Sequence, residues 1–276
     1  MTLRSLLYVP ASRPHMLAKL PALRADAVVL DIEDGVAPEE KPAARAHLRE
    51  ASARGWLGAG PPWSVRINPR GSPWHADDLD LVDELRPPRV LLAKAETPES
   101  VAAAADRCAD AGSRIGLMIE TARGVGRARE LAAANARIDL LVVGSADLRL
   151  SLGARPDADR RWELHALGET LLAARMHGCR AIDSVYFHYR DPEGLAAHAR
   201  VSRDLGFDGK SCIHPDQVPT IHEVFSSSAE ELAWAHGVLR AWVEQNGAQS
   251  GVVVHEGEMI EALHLEVAER ILERAP

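Results

Sequence analysis

Cysteine and aromatic residues are scarce in this sequence of 276 residues, and its 32 lysines and arginines are outnumbered by 40 acidic residues. Its three cysteines, Cys108, Cys179 and Cys212, match no zinc signature, and their odd number gives no disulfide framework. They fit a reducing compartment, so we expect a cytoplasmic protein. Aromatic residues make up 4% of the chain and the net charge is −8, which argues against a base-stacking surface or a general nucleic-acid binder.

Long hydrophobic runs are missing as well. No window approaches about 18 uncharged apolar residues, so we expect no membrane span. The apolar stretch at residues 6–9 is too short for a signal peptide and runs into Pro10. The remaining composition, 46% hydrophobic and 26% charged, is that of an ordinary globular protein. The length allows two small domains or one large α/β barrel, which needs about 250 residues.

Short apolar runs alternate with longer amphipathic segments along most of the chain. The runs predict about eight strands, at residues 6–9, 27–30, 63–67, 90–93, 115–119, 140–143, 180–182 and 206–209. Helical patterns separate many of them, at residues 38–53, 98–111, 160–177 and 191–205. Strands that alternate with helices form parallel βαβ units. We therefore predict an α/β fold, a closed (β/α)₈ TIM barrel over residues 1–225.

Residues 226–276 break this alternation and are predicted to form an extension of extra helices. The helical patterns cover 229–245 and 258–273, and a polar break at 246–251 and a short apolar run at 252–254 lie between them. Such an extension could pad the barrel, close over it as a lid, or reach a neighbouring subunit. The sequence leaves these three alternatives open.

Two carboxylates stand where apolar runs stop. Glu120 directly follows the fifth predicted strand, and Asp147 comes shortly after the sixth. An acid at this point contributes little to packing, but it is well placed to hold a hard cation at the mouth of a parallel sheet. The alternative is a simple ion pair of each acid with a nearby cation, Arg123 or Arg149.

Charged residues follow most of the other predicted strands too. They are Arg13 and Lys19 after the first, Asp31, Glu33 and Asp34 after the second, Lys94 and Glu96 after the fourth, Asp183 after the seventh and Lys210 after the eighth. Arg66 interrupts the third strand, where a guanidinium must be paired or must face a ligand. Glu33 and Asp34 either support a site from behind or form a helix-start and turn cluster.

Seven segments occur in the order and spacing of one known family. They are RSLLYVPASRP from Arg4, VLDIEDGV from Val29, VRIN from Val65, AKAE from Ala93, MIETARG from Met118, GSADL from Gly144 and GFDGKSCIHP from Gly206. Through these segments the chain resembles the citrate lyase β-subunit-like branch of the HpcH/HpaI aldolase superfamily, which also holds malyl-CoA lyases. The resemblance extends over nearly the whole chain.

The resemblance implies a Mg²⁺-dependent carbon–carbon lyase. Such an enzyme cleaves a citryl- or malyl-type thioester into a 2-oxo acid, oxaloacetate or glyoxylate, and an acyl thioester. It also implies a homotrimer or homohexamer. Within the same class, a malate-synthase-like thioesterase or condensing enzyme, or an aldolase acting on free 2-oxo acids, is the alternative.

The resemblance further implies roles for particular residues. Glu120 and Asp147 are expected to bind the metal, and Arg66 to hold the substrate carboxylate or oxo group through its bidentate fork. Ala146 is expected to line the substrate site beside them. The expected supporting residues are Glu33, Asp34 and Lys94, and those expected to receive a CoA or acyl-carrier arm are Tyr8, Arg13 and Lys19.

One segment departs from the family pattern. Several thioester-acting relatives have Gly-Lys-Met-Ile-Asp near the C-terminus, where the Asp serves as an acid or base. Here the segment is Gly257-Glu-Met-Ile-Glu261. Glu261 keeps the carboxylate on a side chain that is longer by one methylene group, and a displacement of about 1 Å costs heavily in rate. A protein that binds metal and 2-oxo acid without turnover is therefore the alternative of a different class.

Overall fold

The computed structural model describes residues 2–155, 157 and 159–275. The chain packs into two compact units. One is Leu3–Ile221, and the other consists of Thr2 together with the residues from His222 onward. This division falls inside one helix, Val218–Phe225. The domain division expected from the sequence, 1–225 and 226–276, remains a prediction.

Eight parallel strands close into a barrel in the first unit, which confirms the predicted (β/α)₈ TIM barrel. They are β1 (Ser5–Pro10), β2 (Ala27–Asp31), β3 (Trp63–Ile67), β4 (Arg89–Leu92), β5 (Arg114–Ile119), β6 (Ile138–Val143), β7 (Arg180–Asp183) and β8 (Gly209–Cys212). Each strand pairs with the next in chain order, and β8 returns to β1 through Ser5 and Lys210. The carboxyl ends of all eight strands therefore meet at one mouth.

Helices surround the barrel and follow the strands in chain order. They are α1 (Pro14–Leu17), α2 (Lys41–Ala53), α3 (His75–Leu85), α4 (Pro98–Arg107), α5 (Ala122–Gly126), α6 (Ala128–Ala133), α7 (Ser145–Leu152), α8 (Leu164–Met176), α9 (Pro192–Leu205) and α10 (Val218–Phe225). Thr97 caps α4 by accepting the Ser100 N–H, and Asp191 caps α9 by accepting the Gly194 N–H. In the described part of the chain, no helix combines the length and apolar character that crossing a bilayer requires.

Two predicted boundaries near the end of the barrel are wrong. The eighth strand covers Gly209–Cys212 rather than 206–209, because Gly206 ends α9 in a left-handed conformation with φ of 106°. The charged Lys210 therefore lies within β8, and Asp183 is the last residue of β7. The helix predicted from residue 160 begins only at Leu164, and Arg160 itself has a positive φ of 57° that no α-helix accepts.

The second unit joins helices to a β-hairpin. Its elements are α11 (Ala229–Glu244), α12 (Gly247–Ser250), β9 (Val252–His255), β10 (Glu258–Glu261) and α13 (Ala262–Glu273). The helix predicted over 258–273 is wrong at its start, since residues 258–261 pair antiparallel with β9. Ala235, Val238, Val253 and Ile260 are buried in the core of this unit, so both strands contribute to it.

Candidate active site at the mouth of the barrel

Seven charged side chains gather at the carboxyl ends of strands β2 to β6. Five are carboxylates, Asp31, Glu33, Asp34, Glu120 and Asp147, and two are cations, Arg66 and Lys94. Asp31, Glu33, Arg66 and Glu120 are buried, whereas Asp147 and Lys94 are about one-third exposed. Most of the cluster is therefore buried in the barrel, and the side with Asp147 and Lys94 is exposed to solvent.

Arg66 is held in the cluster by the acids of the neighbouring strand. Its Nε and Nη2 atoms donate to Asp31 at 2.8 and 2.6 Å, and Nη1 lies 3.1 Å from Glu33. Asp31 and Arg66 are direct cross-strand partners between β2 and β3. Burial alone would lower the pKa of Arg66, but the charge and hydrogen bonds of Asp31 raise it well above its usual value. The guanidinium is therefore a permanent positive charge.

The pairing with Asp31 occupies one edge of the Arg66 guanidinium. Its Nε and Nη2 atoms both donate to the Asp31 carboxylate. A guanidinium has five N–H donors, and Asp31 and Glu33 account for three of them. One N–H group on Nη1 and one on Nη2 therefore remain for a ligand oxygen.

Lys94 connects the two expected metal ligands. Its backbone N–H donates to Glu120 Oε1 at 2.7 Å, and its Nζ lies 3.5 Å from Asp147 Oδ2. The same Nζ donates to Glu33 at 2.5 Å and to Asp34 at 2.7 Å. Burial would lower the pKa of Lys94, but these two hydrogen bonds raise it. Lys94 also has a left-handed backbone with φ of 49°, a strained conformation typical of functional sites.

Glu120 and Asp147 follow adjacent, paired strands. Glu120 comes directly after β5, and Asp147 lies in the first turn of α7, which follows β6. Gly144, between β6 and α7, faces the Glu120 side chain so closely that an added Cβ would clash with it. Burial raises the pKa of Glu120 to about 7, although the Arg66 charge opposes the shift. A cation next to this buried carboxylate would favour its ionised form.

The simple ion pairs considered as the alternative are not the contacts that the structure shows. Arg123 lies 3.7 Å from Glu96, and the ion pair of Asp147 is with Lys94. Glu120 receives its hydrogen bond from the backbone rather than from an arginine. The two acids are therefore turned toward the shared cluster.

Lys41 holds the loop that carries Glu33 and Asp34. Its buried Nζ donates to the carbonyls of Ile32 and Glu33 at 3.0 and 2.9 Å and to Asn68 Oδ1 at 2.7 Å. This lysine begins α2 and so ties that helix to the loops after β2 and β3. The loop geometry of Glu33 and Asp34 thus follows from a buried cation and not from a turn alone.

The donors of the cluster suit a hard divalent cation. In the described part of the cluster, the groups that can ligate a cation are carboxylates, and they outnumber Arg66 and Lys94. Among the described residues, no three or more His, Cys, Asp or Glu side chains form a complete cage for a metal ion. A small site with one or two carboxylates and open positions for water and ligand is the arrangement that Mg²⁺ prefers. The residues at this mouth fit that ion.

A cleft of about 200 Å³ opens beside Lys94, between the loops that follow β3 and β4. Asn68, Arg70, His75 and Glu96 line it. Its walls combine apolar and charged groups, as small-molecule sites do. Lys94 is the member of the charged cluster that also lines this cleft.

The structure separates the three residues expected to receive a thioester carrier. Tyr8 lies within the barrel mouth, where its ring packs 5.1 Å from the Arg66 guanidinium and its hydroxyl bonds to Met118 Sδ at 3.2 Å. Arg13 and Lys19 are exposed in the segment after β1, where Arg13 pairs with Glu40. Tyr8 thus contacts Arg66, and a role of Tyr8 in binding the carrier stays a prediction.

Of two further expected residues, Ala146 adjoins the cluster and Glu261 lies in the second unit. Ala146 is exposed in the first turn of α7, next to Asp147. Glu261 belongs to the second unit, where it ends β10 and precedes α13, and its backbone N–H bonds to His264 Nδ1 at 3.0 Å. Its carboxylate is exposed.

Asp31 is the residue whose importance the sequence analysis missed. It was one of several acids after the second run, yet it carries the bidentate pair with Arg66. The signal that could have identified Asp31 is its position at the end of one strand, with an arginine in the next strand. Asp183 and Lys210, in contrast, contact each other in a separate buried cluster.

Comparisons with known proteins show the family and fold to which the chain is similar. The family model for HpcH/HpaI aldolase/citrate lyase matches residues 4–215. A (3S)-malyl-CoA thioesterase of Cereibacter sphaeroides is 37% identical over 99% of this chain and 94% of that protein. A mitochondrial citramalyl-CoA lyase of Rattus norvegicus is 30% identical over 98% of this chain and 85% of that protein. The crystal structure of Mycobacterium tuberculosis CitE with magnesium, acetoacetate and coenzyme A superposes with a TM-score of 0.85 at 36% identity, covering 99% and 98% of the two chains.

Proposed function

The chain belongs to the HpcH/HpaI aldolase/citrate lyase family, and on this premise we propose that it is a Mg²⁺-dependent carbon–carbon lyase. Its substrate is a citryl- or malyl-type thioester, and its products are a 2-oxo acid, oxaloacetate or glyoxylate, and an acyl thioester. The observation that carries this proposal is the charge of the cluster at the barrel mouth. Its five carboxylates, which include Glu120 and Asp147, outnumber its two cations.

Glu120 and Asp147 are the residues that hold the metal. Glu120 accepts the backbone N–H of Lys94, and Asp147 lies beside Lys94 Nζ with about a third of its side chain exposed. When bound, Mg²⁺ acts as a Lewis acid that polarises the oxygen on the carbon that becomes the carbonyl. The related CitE from M. tuberculosis was crystallised with magnesium, which supports the choice of ion.

Arg66 orients the 2-oxo acid half of the substrate. Asp31 and Glu33 fix its guanidinium plane, and the Tyr8 ring packs against it, so its remaining N–H groups keep one direction. A fixed positive charge stabilises negative charge that develops on the substrate oxygen during bond cleavage. Glu33, Asp34 and Lys94 support this arrangement from behind.

The reaction requires two proton transfers. The bond between the hydroxyl-bearing carbon and the thioester α-carbon breaks, the hydroxyl loses its proton, and the α-carbon gains one. Glu261 is the carboxyl group assigned to the α-carbon, because it occupies the position of the acid in the family segment. Its extra methylene group relative to Asp shifts the proton-transfer atom, so a slower reaction than with Asp is expected.

The thioester carrier, CoA or an acyl-carrier arm, contacts the exposed Arg13 and Lys19. Cationic side chains on an exposed segment suit the phosphates of either carrier.

The protein is a homotrimer or homohexamer in the cytoplasm. Light scattering on the purified protein tests the assembly, and a monomer would contradict it.

Product analysis tests the lyase proposal directly. Purified protein is incubated with Mg²⁺ and malyl-CoA, citramalyl-CoA or citryl-CoA, and 2-oxo acid, acyl-CoA and free thiol are measured separately. A lyase releases 2-oxo acid and acyl-CoA in equal amounts with no free thiol. Chelation of Mg²⁺ and the Glu120→Ala variant serve as controls and should both abolish product. No cleavage of any of these thioesters by a protein that binds Mg²⁺ would count against the proposal.

A thioesterase is the second candidate, favoured by the 37% identity to a (3S)-malyl-CoA thioesterase. The same assay separates the two activities, because hydrolysis of malyl-CoA releases malate and free thiol without glyoxylate. An aldolase acting on free 2-oxo acids would release or consume oxo acid without any thioester.

A binding protein without turnover is the candidate of a different class, and Glu261 motivates it. Calorimetric titration with oxaloacetate and Mg²⁺ would then show binding while every product assay stays silent. A Glu261→Asp variant that gains turnover would support the same conclusion. Turnover by the wild-type protein would exclude it.

A further inference from the structure

A second cluster of charged side chains lies at the end of β7 and within β8, and the proposed mechanism does not use it. Asp183 receives hydrogen bonds from both terminal nitrogens of Arg160, at 2.9 and 2.7 Å, and from Lys210 Nζ at 2.6 Å. Arg160 Nε also donates to Glu163 at 2.7 Å. At most 2% of any of these four residues is exposed. The four charges balance, two against two.

The charges of this cluster are fully satisfied by one another and by α9. Lys210 also contacts the Ser184 carbonyl and His198 Nδ1, and Ser202 of α9 donates to Asp183 at 2.9 Å. Burial would raise the pKa of Asp183, but Lys210 and Arg160 hold it well below its usual range. Burial and the Lys210 charge lower the pKa of His198 to about 2, so its ring is neutral. The cluster is therefore a rigid, closed structure and not a vacant site.

One contact leaves this closed cluster and reaches the candidate active site. Glu163 Oε1 accepts from Arg160, while Glu163 Oε2 accepts a short hydrogen bond from the Ser145 hydroxyl. Ser145 is the first residue of α7, and Asp147 lies in the same first turn. The residue before this helix, Gly144, offers no side chain to cap it. The Ser145 hydroxyl is thus the side-chain anchor of the turn that carries Asp147.

We propose that Ser145 and Glu163 are positioning residues that fix Asp147 in the geometry of a metal ligand by anchoring the first turn of α7 to the buried Arg160–Asp183 cluster. This inference rests on the proposed function, in which Asp147 binds Mg²⁺. A metal-binding carboxylate that is already held in place loses less conformational entropy when the ion binds. Mutation of groups that orient metal ligands typically changes metal affinity about 10–100-fold.

The test measures Mg²⁺ affinity without relying on turnover. Ser145→Ala removes the anchor but leaves the four-residue ion cluster intact. Its Mg²⁺ dissociation constant, measured by calorimetry with and without oxaloacetate, should rise about tenfold. Its melting temperature should fall, because the buried Glu163 Oε2 loses the Ser145 hydroxyl, so stability has to be compared with that of a second variant of the same cluster. Mn²⁺ titration followed by electron paramagnetic resonance gives a second readout of the same site.

Two matched variants separate positioning from general stability. Ser145→Thr keeps a hydroxyl and should restore wild-type Mg²⁺ affinity. Ser202→Ala removes a different hydroxyl from the same cluster, without contact to α7, and should leave Mg²⁺ affinity unchanged. Wild-type affinity in Ser145→Ala, no rescue by threonine, or an equal loss in Ser202→Ala would each overturn the inference. A wild-type protein that does not bind Mg²⁺ would instead overturn the metal assignment itself, and this inference with it.

Discussion

Two clusters of charged side chains stand at the same end of one barrel, and they differ in charge balance and exposure. The cluster at β7 and β8 pairs Glu163 and Asp183 with Arg160 and Lys210, and all four are buried. The cluster at β2 to β6 has five carboxylates for two cations and is open at Asp147 and Lys94. The unbalanced cluster has carboxylates left for a ligand, whereas the charges of the closed cluster are all paired with one another.

The physical reason for this distinction is the cost of burying charge. A buried ion pair with satisfied hydrogen bonds offsets its desolvation and needs no ligand. Unbalanced buried carboxylates repel one another, and the raised pKa of Glu120 reflects that burial. A bound cation removes this imbalance, so the open cluster is the one that gains most from a metal ion.

The largest expected effect comes from breaking the closed cluster. Asp183→Ala leaves Arg160 and Lys210 buried without their shared counter-charge, so unfolding free energy should fall by about 3–5 kcal/mol. Urea unfolding measures this change. Glu50→Ala, which removes an exposed pair with Arg54, is the control and should change stability by less than about 1 kcal/mol. An equally stable Asp183→Ala protein would mean that the two clusters do not differ as argued.

Glu120→Ala should have the opposite effect from Asp183→Ala. It should lose Mg²⁺ binding and keep the stability of the fold. Removing a buried carboxylate that contacts Lys94 should weaken Mg²⁺ binding at least about 100-fold and abolish 2-oxo acid binding, while the melting temperature stays equal or rises. Calorimetry and thermal unfolding together test this. Glu96→Ala, a half-exposed acid that pairs with Arg123, should bind Mg²⁺ normally. Retained Mg²⁺ binding in Glu120→Ala would refute the metal assignment.

Arg66→Lys should cause a smaller loss within the open cluster. An ammonium cannot contact Asp31 and Glu33 while keeping directed donors for the ligand, so 2-oxo acid affinity should fall about tenfold or more. Titration with oxaloacetate at saturating Mg²⁺ measures this loss. Mg²⁺ affinity in the absence of oxo acid is the internal control and should change little. Wild-type oxo-acid affinity would remove Arg66 from the site.

The smallest expected effect is a pH dependence of stability that belongs to the closed cluster. An unfolded Asp has a pKa of about 3.9, and the pKa of Asp183 in the folded state is lower. The folded state therefore binds fewer protons at acid pH, and the contribution of Asp183 is complete above about pH 4 and declines as the pH falls through the folded pKa. Urea midpoints from about pH 5 to 3 should fall more steeply for the wild type than for Asp183→Asn. Parallel slopes would contradict this.

Much of the fold and part of the site could be predicted from local pattern. The first seven strands lie close to their predicted positions, because short β-branched runs and Asx or Thr caps act over a few residues. The eighth strand was misplaced because buried Phe207 made a turn look like a strand. In the second unit, β10 was mistaken for helix because its four residues carry no strand pattern of their own and depend on pairing with β9.

The order of the chain alone placed Glu120 and Asp147 after adjacent strands, since neighbouring strands of a (β/α)₈ barrel follow one another in sequence. The sequence could not distinguish Asp183 and Lys210 from Glu120 and Asp147, because all four are charged residues near predicted strand ends. Only the tertiary structure decided which charges meet: Asp31 with Arg66, and Asp183 with Lys210. Pairing and burial depend on side-chain direction and on contacts between distant segments, which exist only after the barrel has closed.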